Sequence, residues 1–314
     1  MANPTVSSTA SPGVLRPDPV RSKSQQRRRN RYVTAPLILI GVNVVLFLVF
    51  FVWPGALGLI YSFTDYRGVG KLNFIGLANF QKLFADSTFY AALTRTFLYT
   101  VLSVPVVYVS SLGVAALLVS RAVRGRTAAK VVIFLPWLIS PIVVGVIWRW
   151  MFGQDFGFVN FVISTLGGNP VPWSSNGDLA LMVVIFAAAW GGTAFNMLLF
   201  IAALKNIPEA LLEAAELDGA NAWERFRHVT LPGIAPTSFM VILLSTIHAM
   251  KEFAMIQALT NGGPGSQNTL IVQYIYKTGF EQSKVGYASA ASMVLMVVLL
   301  AIAVIQLRFN RKKG

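Results

Sequence analysis

The sequence predicts an all-α protein, a polytopic bundle of six transmembrane helices with both termini in the cytoplasm. Three observations predict it. Of the 314 residues, 55% are hydrophobic and only 12% charged, about half the charged fraction of a soluble chain. The apolar residues fall in long uninterrupted runs, and six of these reach the roughly 20 residues that a bilayer crossing needs. Most of the 26 Lys and Arg lie before the first run, between the second and third, between the fourth and fifth, and after the last. The positive-inside rule assigns those segments to the cytoplasm.

Residues 1–34 are polar, rich in Pro, Ser and Arg, and read as a disordered basic cytoplasmic tail. They do not read as a signal peptide, because the basic region is too long and the next apolar stretch is long enough to stay in the membrane. The membrane domain covers 35–307, with runs at 35–60, 97–119, 131–152, 179–204, 237–259 and 285–307; a basic C-terminus, 308–314, follows. In the first external loop, "NFIGLANFQKLFAD" sets Phe74, Leu77, Phe80, Leu83 and Phe84 at helical spacing. It predicts a short amphipathic helix at the outer interface, packed on the bundle or touching a ligand. The third run contains Pro136 and Pro141, which predict two kinks within one helix. Trp148, Arg149 and Trp150 at its end suit an interface anchor, and the loop 153–178 has no Lys or Arg, as an external segment should.

The net charge of +14 is thus explained by topology. Anionic lipid is its partner, and nucleic-acid binding is excluded. The chain has no cysteine, so it has neither disulfides nor thiolate metal sites. With His228 and His248 alone, a catalytic metal centre is not expected either. No phosphate-binding loop, HExxH or GxSxG occurs, so the chain is expected not to be an enzyme and to hold no cofactor itself.

One stretch departs from the apolar background. Five of the 12 acids, Glu209, Glu213, Glu216, Asp218 and Glu224, fall within residues 209–232. Pro208 suits a first helical turn, Asp218-Gly219 a left-handed end, and Asn221 with Glu224 a capping box. A second short helix is expected through Trp223, Phe226 and Val229 until Leu231-Pro232 stops it. This helix–glycine–helix unit in the loop 205–236 is either a solvated connector or a docking knob.

"EAAELDGANAWERFRHVTLP" resembles the cytoplasmic loop signature of permease subunits from bacterial binding-protein-dependent ABC importers. Glu213, Ala214, Ala215, Gly219, Val229, Leu231 and Pro232 occupy its fixed positions. "LTNGGPGSQNTLIVQYIY", "FIGLANFQKLF", Pro136-Trp137, Trp148, Gly157 and Asn160 are similar to the carbohydrate branch of that family, the maltose and glycerol-phosphate type. Arg95 departs from it, standing where the family usually has Asn.

The resemblance implies a bacterial inner-membrane location and alternating access driven by a separate ATPase dimer, which binds the ATP and Mg. A second homologous permease subunit and an extracellular substrate-binding protein would complete the importer. Glu213, Ala214, Ala215, Asp218, Gly219, Trp223, Phe226 and Pro232 would dock on the ATPase as coupling helices, the acidic rim meeting basic groups there. Trp190, Gly191, Gly192 and Phe195 of the fourth span would line the sugar pathway with Ser245, His248, Ala249 and Glu252 of the fifth. Phe195, and Ala249 and Glu252 in place of amides, imply a sugar other than maltose. Independently, Ser245, His248, Ala249 and Glu252 recur on one helical face, and intramembrane polar faces are commonly functional; contact with the partner permease is the other reading. An ion-coupled secondary transporter is the rival function, and a membrane-embedded enzyme the third.

Overall fold

The computed structural model describes residues 36, 38–120 and 125–311. The predicted N-terminal tail lies outside them, as do Arg121, Arg124, Lys312 and Lys313. The chain divides into two units, Met1–Leu57 and Gly58–Gly314.

Helix α1 covers Ile38–Tyr61 and widens to a π turn at Leu48–Val52. A loop closed by one antiparallel bridge, Thr64 to Phe74, leads to α2, Ala78–Phe84. Only one edge of this predicted amphipathic helix is buried: Leu83 and Asn79 face inward, while Phe74, Leu77 and Phe84 are exposed. Asn79 earns its burial by donating to the carbonyls of Ser62 (3.0 Å) and Thr64 (2.8 Å). Helix α3, Ser87–Val119, starts at Asp86, whose carboxylate accepts from the Thr88 amide, an N-cap that satisfies a free helix donor.

The third span is not continuous. Helix α4, Arg126–Leu138, and α5, Pro141–Met151, meet at 100°. Pro136 sits inside α4 without breaking it. The turn falls at Ile139–Ser140, because the ring of Pro141 disfavours helical geometry at the residue before it, and Ser140 is extended with ψ 138°. Pro141 then opens α5, where its missing N–H costs nothing. The expected pair of kinks is therefore one sharp break.

After α6, Phe158–Thr165, comes α7, Gly177–Lys205. Next are α8, Glu209–Leu217, and α9, Ala222–Gly233. Helix α10, Ala235–Met250, leaves α9 at a 71° bend. The fifth span was expected to run to residue 259, yet α10 ends at Met250 and a separate α11 covers Ala254–Leu259. Then follow α12, Ile271–Tyr276, and α13, Val285–Arg311. Among the described residues, four helices are long and apolar enough to cross a membrane, or up to six if each bent pair is one span.

Helices α3 and α7 pack along their lengths at the centre. Gly192 permits this, because a Cβ there would come 3.1 Å from Val107. Their shared core holds Leu112, Ala115, Met197 and Phe200 at one end and Tyr99, Val183, Val184 and Ala187 at the other. Polar ties cross the spans: Ser110 to Thr193 (2.6 Å), Tyr108 to Ser238 (2.9 Å) and Gln306 to Thr246 (3.1 Å). Such side-chain bonds between helices stand in for a hydrophobic drive that lipid does not supply.

Candidate functional site

The loop between α7 and α10 folds as a braced knob. Helix α8 ends at Gly219, with φ +82°, a conformation that L side chains resist. The amide of Ala220 donates to Ala215 O and that of Gly219 to Glu216 O, both at 3.0 Å, the two bonds of a Schellman end. Both halves of the capping box form: Glu224 N–H donates to Asn221 Oδ1 (3.0 Å), and Asn221 N–H to Glu224 Oε2 (2.8 Å).

Pro232 does not stop α9. The turn Phe226–Thr230 opens into a π-helix, and Leu231 N–H reaches back to Phe226 O. This wider turn makes room for a ring whose own N–H is missing, and the helix continues to Gly233. Across the glycine turn, Arg225 Nη1 meets Glu216 Oε2 at 2.7 Å. Two of the five acids, Glu216 in this pair and Glu224 in the capping box, are therefore held inside the knob; no periodic rule in the sequence links Glu216 with Arg225.

Glu213, Asp218, Gly219, Trp223 and Pro232 are exposed, as is Ala214, while Ala215 and Phe226 are half-buried. The Trp223 and Phe226 rings stack 5.6 Å apart at 27°, and Trp223 keeps 66% of its surface open. Leu217 (88% exposed) and Leu211 extend the apolar area. The knob thus offers a rigid aromatic and aliphatic face ringed by the remaining acids.

The intramembrane residues divide differently. Trp190 lies 6.2 Å from Trp148 between ring centres, and Phe195 stacks on Trp137 at 4.8 Å and 23°. Gly191 faces open space, whereas Gly192 is turned onto Val107 of α3. On α10, Ser245 Oγ accepts from Asn196 Nδ2 (3.3 Å). Ala249 is buried in the core formed with Val184, Ile185 and Ile256, so it stands apart from the exposed His248. Glu252 lies beyond the end of α10. Its Oε1 accepts from Phe253 N–H (3.1 Å) and Met255 N–H (3.3 Å), and its Oε2 lies 3.8 Å from His248 Nδ1. That carboxylate takes amides at the start of α11, where the fifth span breaks.

At the far ends of these spans, Arg95 joins three elements. Its Nε donates to Asn268 Oδ1 (3.0 Å), and its Nη2 to Gly177 O (3.0 Å) and Asp178 Oδ1 (3.2 Å). Asn268 is buried and donates in turn to Gly177 O and Gly263 O. The residue that departs from the resembled pattern is therefore the one that pins the loop after α11 to α3 and α7. Gly157 and Asn160 also have structural work. A Cβ at Gly157 would strike Gly153 O, and Asn160 Oδ1 accepts from Val171 N–H (3.0 Å) and Trp173 Nε1 (2.9 Å).

A family model described as "Binding-protein-dependent transport system inner membrane component" matches residues 83–313. The sn-glycerol-3-phosphate transport system permease protein UgpA of Agrobacterium fabrum is 33% identical over 285 residues, covering 88% of this chain and 95% of that protein. The arabinooligosaccharides transport system permease protein AraP of Bacillus subtilis is 33% identical over 302 residues, with 95% and 96% covered. Among solved structures, a chain of a bacterial ABC transporter involved in the import of alginate superposes with a TM-score of 0.79 over 93% of this chain and 99% of its own length. At 24% identity it attests the fold.

Proposed function

Since this chain belongs to the family of binding-protein-dependent transport system inner membrane components, we propose how it works as the permease subunit of an ABC sugar importer. Its termini and the α8–α9 knob lie in the cytoplasm. It pairs with a second homologous permease, and the knob seats in an ATPase subunit whose dimer binds ATP and Mg. An extracellular binding protein delivers the solute. Relatives named for the transport of sn-glycerol-3-phosphate and arabinooligosaccharides support a sugar or glycerol phosphate as that solute.

The observation that carries this reading is the pre-formed knob: a Schellman turn, a closed capping box and an internal ion pair hold an exposed Trp223–Phe226 face. Helix α9 runs into α10 with only Ile234 between them. Movement of the knob by ATP-driven closure therefore passes directly to the span that carries Ser245 and His248. The rival, an ion-coupled carrier, needs a free intramembrane carboxylate, and Glu252 is occupied in capping α11.

The test is reconstitution of the permease pair with its ATPase and binding protein. Gly219→Val strains the left-handed turn at the knob, with φ +82°. It is expected to abolish uptake while the ATPase still hydrolyses ATP. Wild-type uptake by this variant would count against the knob as the coupling element.

A further inference from the structure

We infer that a cavity at the external mouth of α3 and α13 holds the phosphate of an anionic membrane lipid. This rests on the permease reading above, which sets that end of the bundle outside. The cavity has a volume of about 590 Å³ and is lined by α2, the loop ahead of it, the first turn of α3 and the chain from α12 into α13. Arg67 of the loop, Lys82 of α2 and Lys284, just before α13, all reach it. Outside the segments assigned to the cytoplasm the chain has few Lys and Arg. The positive-inside rule explains none of these three, yet they gather at one concave site.

The acids of the cavity are already occupied. Asp65 accepts from the backbone N–H and the Nδ2 of Asn73, both at 2.9 Å. Asp86 accepts from the Thr88 amide (2.8 Å) and hydroxyl with one oxygen. With the other it accepts from the hydroxyls of Tyr274 (2.7 Å) and Tyr287 (3.0 Å). The cations are not so bound. Among the described residues the Arg67 and Lys82 side chains make no hydrogen bond or ion pair, Arg67 acting on Asp65 only through space. Lys284 Nζ reaches only Gln282 Oε1, at 3.1 Å. Thr278 lines the same cavity, is 4% exposed, and has no partner for its hydroxyl among those residues. Three cations and a buried hydroxyl thus face a space whose carboxylates are saturated. An oxyanion completes that set through charge-assisted hydrogen bonds.

The surroundings favour a lipid over a soluble anion. Lys284 immediately precedes the apolar helix α13, so it stands at the depth of the headgroups. On α2 and its entry, Phe74 (77% exposed), Leu77 and Phe84 are open, although this helix lies outside the spans. Cations beside exposed aromatic and aliphatic side chains are the composition of an element that rests in the membrane interface. A lipid brings acyl chains to cover apolar surface near its headgroup, whereas free phosphate leaves that surface wet.

The experiment titrates the assembled importer, in neutral detergent, with tetraoleoyl cardiolipin, dioleoylphosphatidylcholine or inorganic phosphate, and reads the midpoint of the rise in melting temperature. Cardiolipin is expected to stabilise the wild type, and the other two are not at the same concentrations. Lys82→Gln combined with Lys284→Gln should raise the cardiolipin midpoint about tenfold or more. Arg308→Gln combined with Arg311→Gln, a matched loss of charge at the other end of α13, should leave it close to the wild type's. The inference is overturned if cardiolipin gives no rise, if the Lys82 and Lys284 variant keeps the wild-type midpoint, or if both double variants shift it equally. A full rise with inorganic phosphate alone also overturns it and assigns the cavity to a soluble anion. An unchanged cardiolipin midpoint with weaker affinity for the binding protein would make the same face a protein dock. The titration needs neither ATP nor solute, so its failure leaves the coupling reading to be decided by Gly219→Val.

Discussion

Gly145 shows how one missing atom joins two broken spans. A Cβ there would lie 2.5 Å from Met255 O and 2.8 Å from Ala258 Cβ, closer than atoms pack. Gly145→Ala should therefore force α5 and α11 apart and cost about 1–3 kcal/mol, read as a lower unfolding midpoint in detergent. At another position a single carboxyl sets a pH limit. Burial pushes Asp86 up, but hydrogen bonds from Thr88, Tyr274 and Tyr287 outweigh it and hold the group at about 2, below its ordinary 3.8. Burial and those bonds push the Tyr274 hydroxyl the other way, well above its usual range. Because the folded value of Asp86 is the lower one, the stabilisation is complete above pH 3.8 and is lost as pH falls toward 2. Asp86→Asn should remove that component: its melting temperature should fall less than the wild type's between pH 4 and pH 2.5.

Among the elements, those whose ends depend on local chemistry were legible in advance. The α8 end at Gly219 and the α9 start at Asn221 follow from neighbouring residues, and the expected capping box is present. Asn221→Ala should cost about 1 kcal/mol. Circular dichroism on the intact chain would register little, so the sensitive measure is hydrogen exchange at the amides of Ala222 to Glu224. Faster exchange there, with unchanged protection in α7, is the expected outcome. The breaks in the third and fifth spans were harder to read. Hydropathy runs through both without interruption, and only details decide them: extended Ser140 ahead of Pro141 in one case, and the Glu252 carboxylate folding onto Phe253 and Met255 in the other. Glu252 is legible as a buried acid, yet its use as a cap depends on the backbone turning at Lys251. Pro232, taken for a stop, is accommodated by a π turn that no composition rule announces.

For the whole molecule, among the described residues four of the apolar runs fall on single long helices and two on bent pairs, since a lipid-facing span depends on composition more than on partners. Long-range polar contacts stayed hidden. Arg95 reaches Asn268 and Gly177 across 173 and 82 positions of sequence, and its charge alone marked it as unusual. Glu216 and Arg225 likewise stood out as charges, but their pairing needed the turn geometry. That pairing has a thermodynamic consequence for assembly. A loop that must fold as it binds loses conformational entropy and buries more surface than its footprint, which calorimetry records as an outsized negative heat-capacity change. The Glu216–Arg225 brace and the closed caps mean that this ordering has already taken place in the free chain. If the knob docks on an ATPase as proposed, that association should therefore resemble the meeting of two rigid bodies, with a heat-capacity change no larger than the contact area accounts for. Glu216→Ala should enlarge that change and weaken association by restoring the entropy that must be lost.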